Sequence, residues 1–196
     1  MRHIKVLCIF LSLAAGSMSC GDKSQKTGES TEMTAAGGSM DVDSLLADAD
    51  NLAGQEVKVE AVCTHICKHG GAKIFLMGSD DTQTIRCEAG KEIGKFGQEC
   101  VNSIVQVTGI LTEQRIDEAY LSRWEARLKA GAVERHGDSA GGCDSEKKAR
   151  GEATVDTAEE RIANFRKRMT ERRGREGKDY LSFYYIRATD YKIMDE

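Results

Sequence analysis

Cys63-Thr64-His65-Ile66-Cys67-Lys68-His69 sets four side chains that can bind a metal or exchange electrons at every second position. On an extended strand that spacing turns all four to one side, but Cys63 and His69 would then stand about 20 Å apart, at roughly 3.3 Å per residue. One ion cannot hold both. A shared site requires the chain to curl after Cys63, toward Gly70-Gly71, so that Cys63, Cys67 and His69 supply three ligands of a tetrahedral centre. His65, Cys87, Cys100 or water would be the fourth. Thiolate and imidazole suit zinc or another borderline-soft ion better than calcium or magnesium. The spacing C-x3-C-x-H is neither a c-type haem attachment nor a C-x-x-C pair. Two other readings compete with a metal: a disulfide from Cys67 to Cys63 or Cys100, and burial of Cys63 and Cys87 as small hydrophobes.

Two further groups of residues carry chemistry. Arg161 to Lys178 holds eight basic residues against Glu171 and Glu176, a local charge of +6 in a chain of net charge −4. Such a segment attracts nucleic acid, an anionic lipid surface or an acidic polymer, or it is the solvated face of a helix whose Ile162, Phe165 and Met169 face a core. Tyr180, Phe183, Tyr184 and Tyr185 fall on both faces of one β-prone segment, where they either fill a core or offer rings for stacking. Glu60 and Glu88 are available as general bases beside an open zinc position, but no G-x-S-x-G, P-loop or H-E-x-x-H motif is present and no catalytic residue is assigned.

The chain that must position these residues has 196 of them, no proline and seven cysteines. With 40% hydrophobic and 31% charged residues it is neither a membrane bundle nor a wholly disordered protein. Arg2, His3 and Lys5 precede an apolar run, Val6 to Ala15, and a small-residue stretch ending at Cys20, which reads as a signal peptide over residues 1–19. Small residues before a cysteine, then Gly21-Asp22-Lys23, resemble the lipobox of bacterial lipoproteins, although Ser17 stands where leucine is usual. That resemblance implies acylation at Cys20 and a lipid anchor in the cell envelope, on the periplasmic side or at the outer surface of the outer membrane. Residues 20–41, rich in Gly, Ser, Thr, Lys and Glu, form a flexible tether, and residues 42–196 the folded domain. Export places the five later cysteines in an oxidising compartment, and Cys143 is the expected leftover thiol.

Within the domain, Leu45, Leu46, Ala49 and Leu52 predict a short helix ending at Gly54. Strand patterns follow over Gln55 to Cys63, Ala72 to Gly78, Thr82 to Glu88, Ser103 to Ile116 and Tyr180 to Met194, with Gly109 marking a bend or bulge. Glu92 to Phe96 reads as a small helix. About residues 118–178 the pattern changes to a helical insertion: amphipathic helices at Tyr120 to Ala132 and Val155 to Arg173, and a loop at Glu134 to Ala153.

Three short strands, a small helix, a long bent strand, a helical insertion and a closing strand describe a mainly β protein, a five-stranded OB-like Greek-key barrel. The segments Val57 to Gly71, Lys73-Ile74-Phe75-Leu76, Phe96, Val105 to Gly109 and Tyr185-Ile186-Arg187-Ala188 resemble exported OB-fold-like bacterial lipoproteins of the anticodon-binding type. The resemblance covers Gln55 to Ile116 and the last strand. It implies binding of an oligosaccharide, peptide or nucleic acid through a barrel face and its loops, with nucleic acid supported by fold analogy alone. On this chain that surface would carry Lys68, Lys73, Arg86, Tyr185 and Arg187. The alternative is metal handling or thiol redox chemistry in the Cys63 to His69 loop.

Overall fold

Alternating apolar and polar residues in four segments and the short apolar run Ile74-Phe75-Leu76-Met77 in a fifth build a closed barrel, and the computed structural model shows it over residues 38–67, 70–131, 143–153, 155 and 157–194. The signal peptide, Cys20, most of the tether, Lys68 and His69 lie outside the described residues. The chain enters through two short helices, α1 (Val42–Ala47) and α2 (Ala49–Leu52), the first capped by Asp41, whose carboxylate accepts from Ser44 N at 2.7 Å. Met40 already bridges Val59.

The strands are β1 (Glu56–Ile66), β2 (Lys73–Met77), β3 (Thr84–Ala89), β4 (Ile104–Ile116) and β5 (Leu181–Ile193). They close in the order β1-β2-β3-β5-β4, with β4 returning to β1. The β3–β5 pair is parallel and the other pairings are antiparallel. That order, with β1 shared between β2 and β4, is OB-like. Val57, Val59, Cys63, Ile74, Leu76, Ile85, Cys87, Val105, Val107, Leu111, Ile186 and Ala188 fill the interior. Small and branched side chains dominate because a five-stranded barrel has a narrow lumen.

The expected helix at Glu92 to Phe96 is a correction: residues 91–93 form a turn, Gly94 takes φ +66, and the short helix is a 3₁₀ turn at Gln98–Cys100. The left-handed glycine ends the helical path, yet Phe96 still enters the core.

Between β4 and β5 the insertion contributes α3 (Glu118–Lys129), α4 (Asp144–Ala149) and α5 (Ala158–Glu176). The expected loop over Glu134 to Ala153 is therefore interrupted by a helix where it is described. Its composition hid it: α4 has no apolar residue larger than alanine and buries only Glu146 and Lys147. At α5 the capping box is complete, Thr157 Oγ1 accepting from Glu160 N and Glu160 Oε2 accepting from Thr157 N. Helices α3 and α5 build a second core, in which Leu121, Trp124, Ile162 and Phe165 pack on Ile116, Leu181 and Phe183 from the outward side of β4 and β5. No helix among the described residues is long and apolar enough to cross a membrane.

Candidate functional site: the outer face of β2, β3 and β5

Inward residues alternate with outward ones along each strand, so register decides which side chains share the outer face. One transverse row runs His65, Phe75, Arg86, Tyr185, through the pairings His65↔Phe75, Phe75↔Arg86 and Arg86↔Tyr185. The next runs Cys67, Lys73, Glu88, Arg187, through the Cys67 N to Lys73 O hydrogen bond, Lys73↔Glu88 and Glu88↔Arg187. Four of the side chains expected to contact a ligand, Lys73, Arg86, Tyr185 and Arg187, thus occupy two adjacent rows. Arg187 is exposed, Lys73 and Tyr185 are half-buried, and Arg86 is buried.

Arg86 is buried because α4 lies on β3. Its Nη1 donates to Glu146 Oε1, its guanidinium stacks 4.7 Å from the Tyr185 ring centroid, and Nη2 donates to Gln114 Oε1 at 3.4 Å. Glu146 also pairs with Arg150 at 3.0 Å, and Lys73 Nζ lies 3.8 Å from it. The charges then alternate outward from the barrel: Arg150 Nη1 is 3.8 Å from Glu152, which takes Arg161 at 2.7 and 3.0 Å. Burial pushes the Arg86 guanidinium below its ordinary value; Glu88 pulls it back up and Arg150 pushes it down. Three buried donors of this network make no hydrogen bond: Arg86 Nε, although Glu88 Oε1 lies 3.3 Å away, Arg150 Nε and Arg161 Nη1. Glu146, Arg150 and Gln114 were not foreseen. The signal for them was there, since acids at Asp144 and Glu146, then Lys147 and Lys148, suit the two ends of a helix dipole, and Glu146 and Arg150 stand at i,i+4.

The Cys/His segment divides. Cys63 follows the inward phase of Val57 and Val59 into the barrel core with Cys87 and Cys100, and a bulge between Cys63 and His65 turns His65 to the outer face, against Phe75, ring centroids 5.7 Å apart. Cys63 and His65 thus lie on opposite faces, and the first strand, expected to end at Cys63 and curl, runs on to Ile66. Cys63 Sγ donates to His65 O. His65 Nε2 lies 3.9 Å from Cys143 Sγ, a contact the loop reading did not anticipate. Among the described residues no three His, Cys, Asp or Glu side chains are grouped to hold one ion. Cys63, Cys67, Cys87, Cys100 and Cys143 are all unpaired.

Burial pushes the Cys63 thiol up to about 11 and raises those of Cys87 and Cys100 too. At pH 8 only about one Cys63 in a thousand is therefore ionised. Iodoacetamide at pH 8, read by peptide mass mapping on the native chain, is expected to modify Cys67 and Cys143 and to reach Cys63, Cys87 and Cys100 only after denaturation. Native labelling of Cys63 would contradict this. The same shift sets a pH dependence. The contribution of Cys63 to stability is complete below the ordinary thiol value of 9.0 and is lost as pH rises toward about 11, because unfolded thiols ionise first.

The basic segment is largely compensated within the fold. Arg166 pairs with Glu118 and Glu125, Arg172 and Arg175 with Glu176, and Arg173 with Asp179. The aromatic strand serves packing more than display. Phe183 sits in the second core, the Tyr184 hydroxyl donates to Asp50, and Tyr180 lies between Arg115 and Arg172. No family model and no curated protein matches this chain.

Proposed function

We propose that this chain is an exported, lipid-anchored binding module of OB type whose ligand surface is the outer face of β2, β3 and β5. The observation that carries the reading is the convergence of Lys73, Arg86, Tyr185 and Arg187 on two adjacent rows of that face, the strand 2–3 surface through which OB barrels take oligonucleotides and oligosaccharides. A guanidinium held against a tyrosine ring recognises an anionic group beside a flat apolar one. The leader and Cys20 supply the anchor, and the tether of residues 20–41 the spacing from the membrane.

Two measurements test the parts separately. Cys20→Ser is expected to move the chain from the membrane pellet to the soluble fraction, and mass spectrometry of the native N-terminus to find an acylated Cys20; an unmodified Cys20 removes the anchor. Arg187→Gln and Lys73→Gln, on the exposed row, are each expected to weaken binding of acidic oligosaccharides from a glycan array about threefold to tenfold. Array signals indifferent to both substitutions would remove the face.

A metal- or thiol-based role in the Cys63 to His69 loop keeps one supporting contact, that of Cys143 with His65. Stoichiometric zinc in the purified chain, lost in both Cys143→Ser and Cys67→Ser, would favour it over the binding reading.

A further inference from the structure

In the polar network on this face several donors share one acceptor. Two guanidiniums, Arg86 and Arg150, converge on the single carboxylate of Glu146 and share the single amide oxygen of Gln114; Arg150 Nε is buried with no hydrogen-bond partner, and Arg86 Nε, also without a hydrogen bond, has Glu88 Oε1 at 3.3 Å as an ion-pair partner. A buried N–H left unmade is costly, so natural interiors keep few of them. The element that delivers Glu146 is also weakly held. Helix α4 meets β3 through the Glu146–Arg86 pair, Lys148 ties it to Asp81 in the β2–β3 turn at 2.7 Å and Lys147 Nζ donates to Val155 O at 3.1 Å, with no apolar residue among those it buries. A surface helix normally docks by an apolar stripe, and this one does not. On either side of Arg86 in its row stand two rings, Phe75 and Tyr185. Phe75 points outward from the barrel and yet is only 1% exposed.

We infer that this face is a subsite for a carboxylate borne on a sugar ring, as in a uronate-containing oligosaccharide, and that Glu146 of α4 is its resident surrogate. The inference rests on the reading of this face as the ligand surface. Glu146 shows that a planar two-oxygen anion fits against Arg86 with Gln114 and Lys73 beside it. A uronate sets such an anion directly on a pyranose whose C–H faces match the flanking rings. Binding then exchanges one carboxylate for another and lifts α4 from β3, so the free chain is self-occluded and its apparent affinity is reduced by the fraction of chains whose face is open.

The test uses the full chain in detergent and a fluorescein-labelled tetragalacturonate, read by anisotropy. Glu146→Gln is expected to bind at least tenfold more tightly than the unaltered chain, and Glu146→Gln with Arg86→Gln to lose that gain. If the unaltered chain and Glu146→Gln bind equally and both need Arg86, the face is a ligand site but self-occlusion is wrong. If no chain binds in an Arg86-dependent way, the ligand-surface reading falls as well. If the Glu146→Gln chain prefers an oligothymidylate of equal charge, the acidic-glycan assignment is overturned in favour of nucleic acid. Because Glu146→Gln leaves the buried Arg86 short of a counter-charge and can impair folding, a second measurement uses the unaltered chain. Saturating tetragalacturonate is expected to speed amide exchange over Asp144–Ala149 while β5 stays protected; unchanged or slowed exchange there refutes displacement of α4.

Discussion

Gly109→Ala is expected to destabilise the barrel by about 3 kcal/mol or more, the upper end of what overpacking costs. Gly109 sits where the β4–β5 register shifts, next to Thr108, and its Cα is met by the backbone of the partner strand. A Cβ there would lie 2.3 Å from Arg187 O and 2.7 Å from Ala188 Cα. Neither is a side-chain end that can swing away, so β4 and β5 must separate locally. The pair is the longest ladder of the barrel, and its hydrogen bonds on both sides of the bulge depend on that approach. Urea unfolding followed by far-ultraviolet circular dichroism checks it. A midpoint within experimental error of the unaltered chain would show that the strand relaxes freely, and the close approach would then have no energetic weight.

Phe165→Ala is expected to cost 3–5 kcal/mol, roughly the loss for emptying a buried phenylalanine site, but to spend that loss on the insertion rather than the barrel. Phe165 is 1% exposed, and its ring lies 6.3 Å from Trp124 and 5.9 Å from Phe183. It links α5 to α3 and to the outward side of β5, whereas the barrel interior is a separate cluster that Phe165 does not touch. The single tryptophan of the chain, Trp124, reports on this second core alone. In the variant its emission is expected to shift to the red at lower urea than the loss of sheet signal. Coincident transitions by both probes would show that the two cores unfold as one unit.

Much of this arrangement was legible. The alternation of Val57 and Val59, of Ile85 and Cys87, and of Val105 and Val107 placed the barrel strands, and Gly109 announced its bulge, because a half-buried strand must repeat with period two. Tyr185, Arg187, Lys73 and Arg86, nominated with Lys68 from the OB resemblance, stand opposite the core residues of their strands. What failed did so for definite reasons. The Cys63 to His69 pattern suggested one-sided display, and a single-residue bulge at Thr64 turned His65 outward while Cys63 kept the inward phase of Val57 and Val59; a bulge is a property of two paired strands, and one strand's sequence does not show it. Helix α4 escaped notice because it buries charge instead of an apolar stripe, so hydrophobic periodicity had nothing to detect.

The sequence by itself determined the strands and the two amphipathic helices of the insertion, since these follow from local periodicity and composition. Only the tertiary structure decided what the residues do to one another. Parallel pairing of β3 with β5 brings Arg86 to Tyr185 across nearly a hundred residues of chain, and α4, from the middle of that interval, lays Glu146 on the guanidinium. Contacts at such separations depend on how the barrel closes, and closure is fixed by the summed pairing of all five strands rather than by any local stretch of residues.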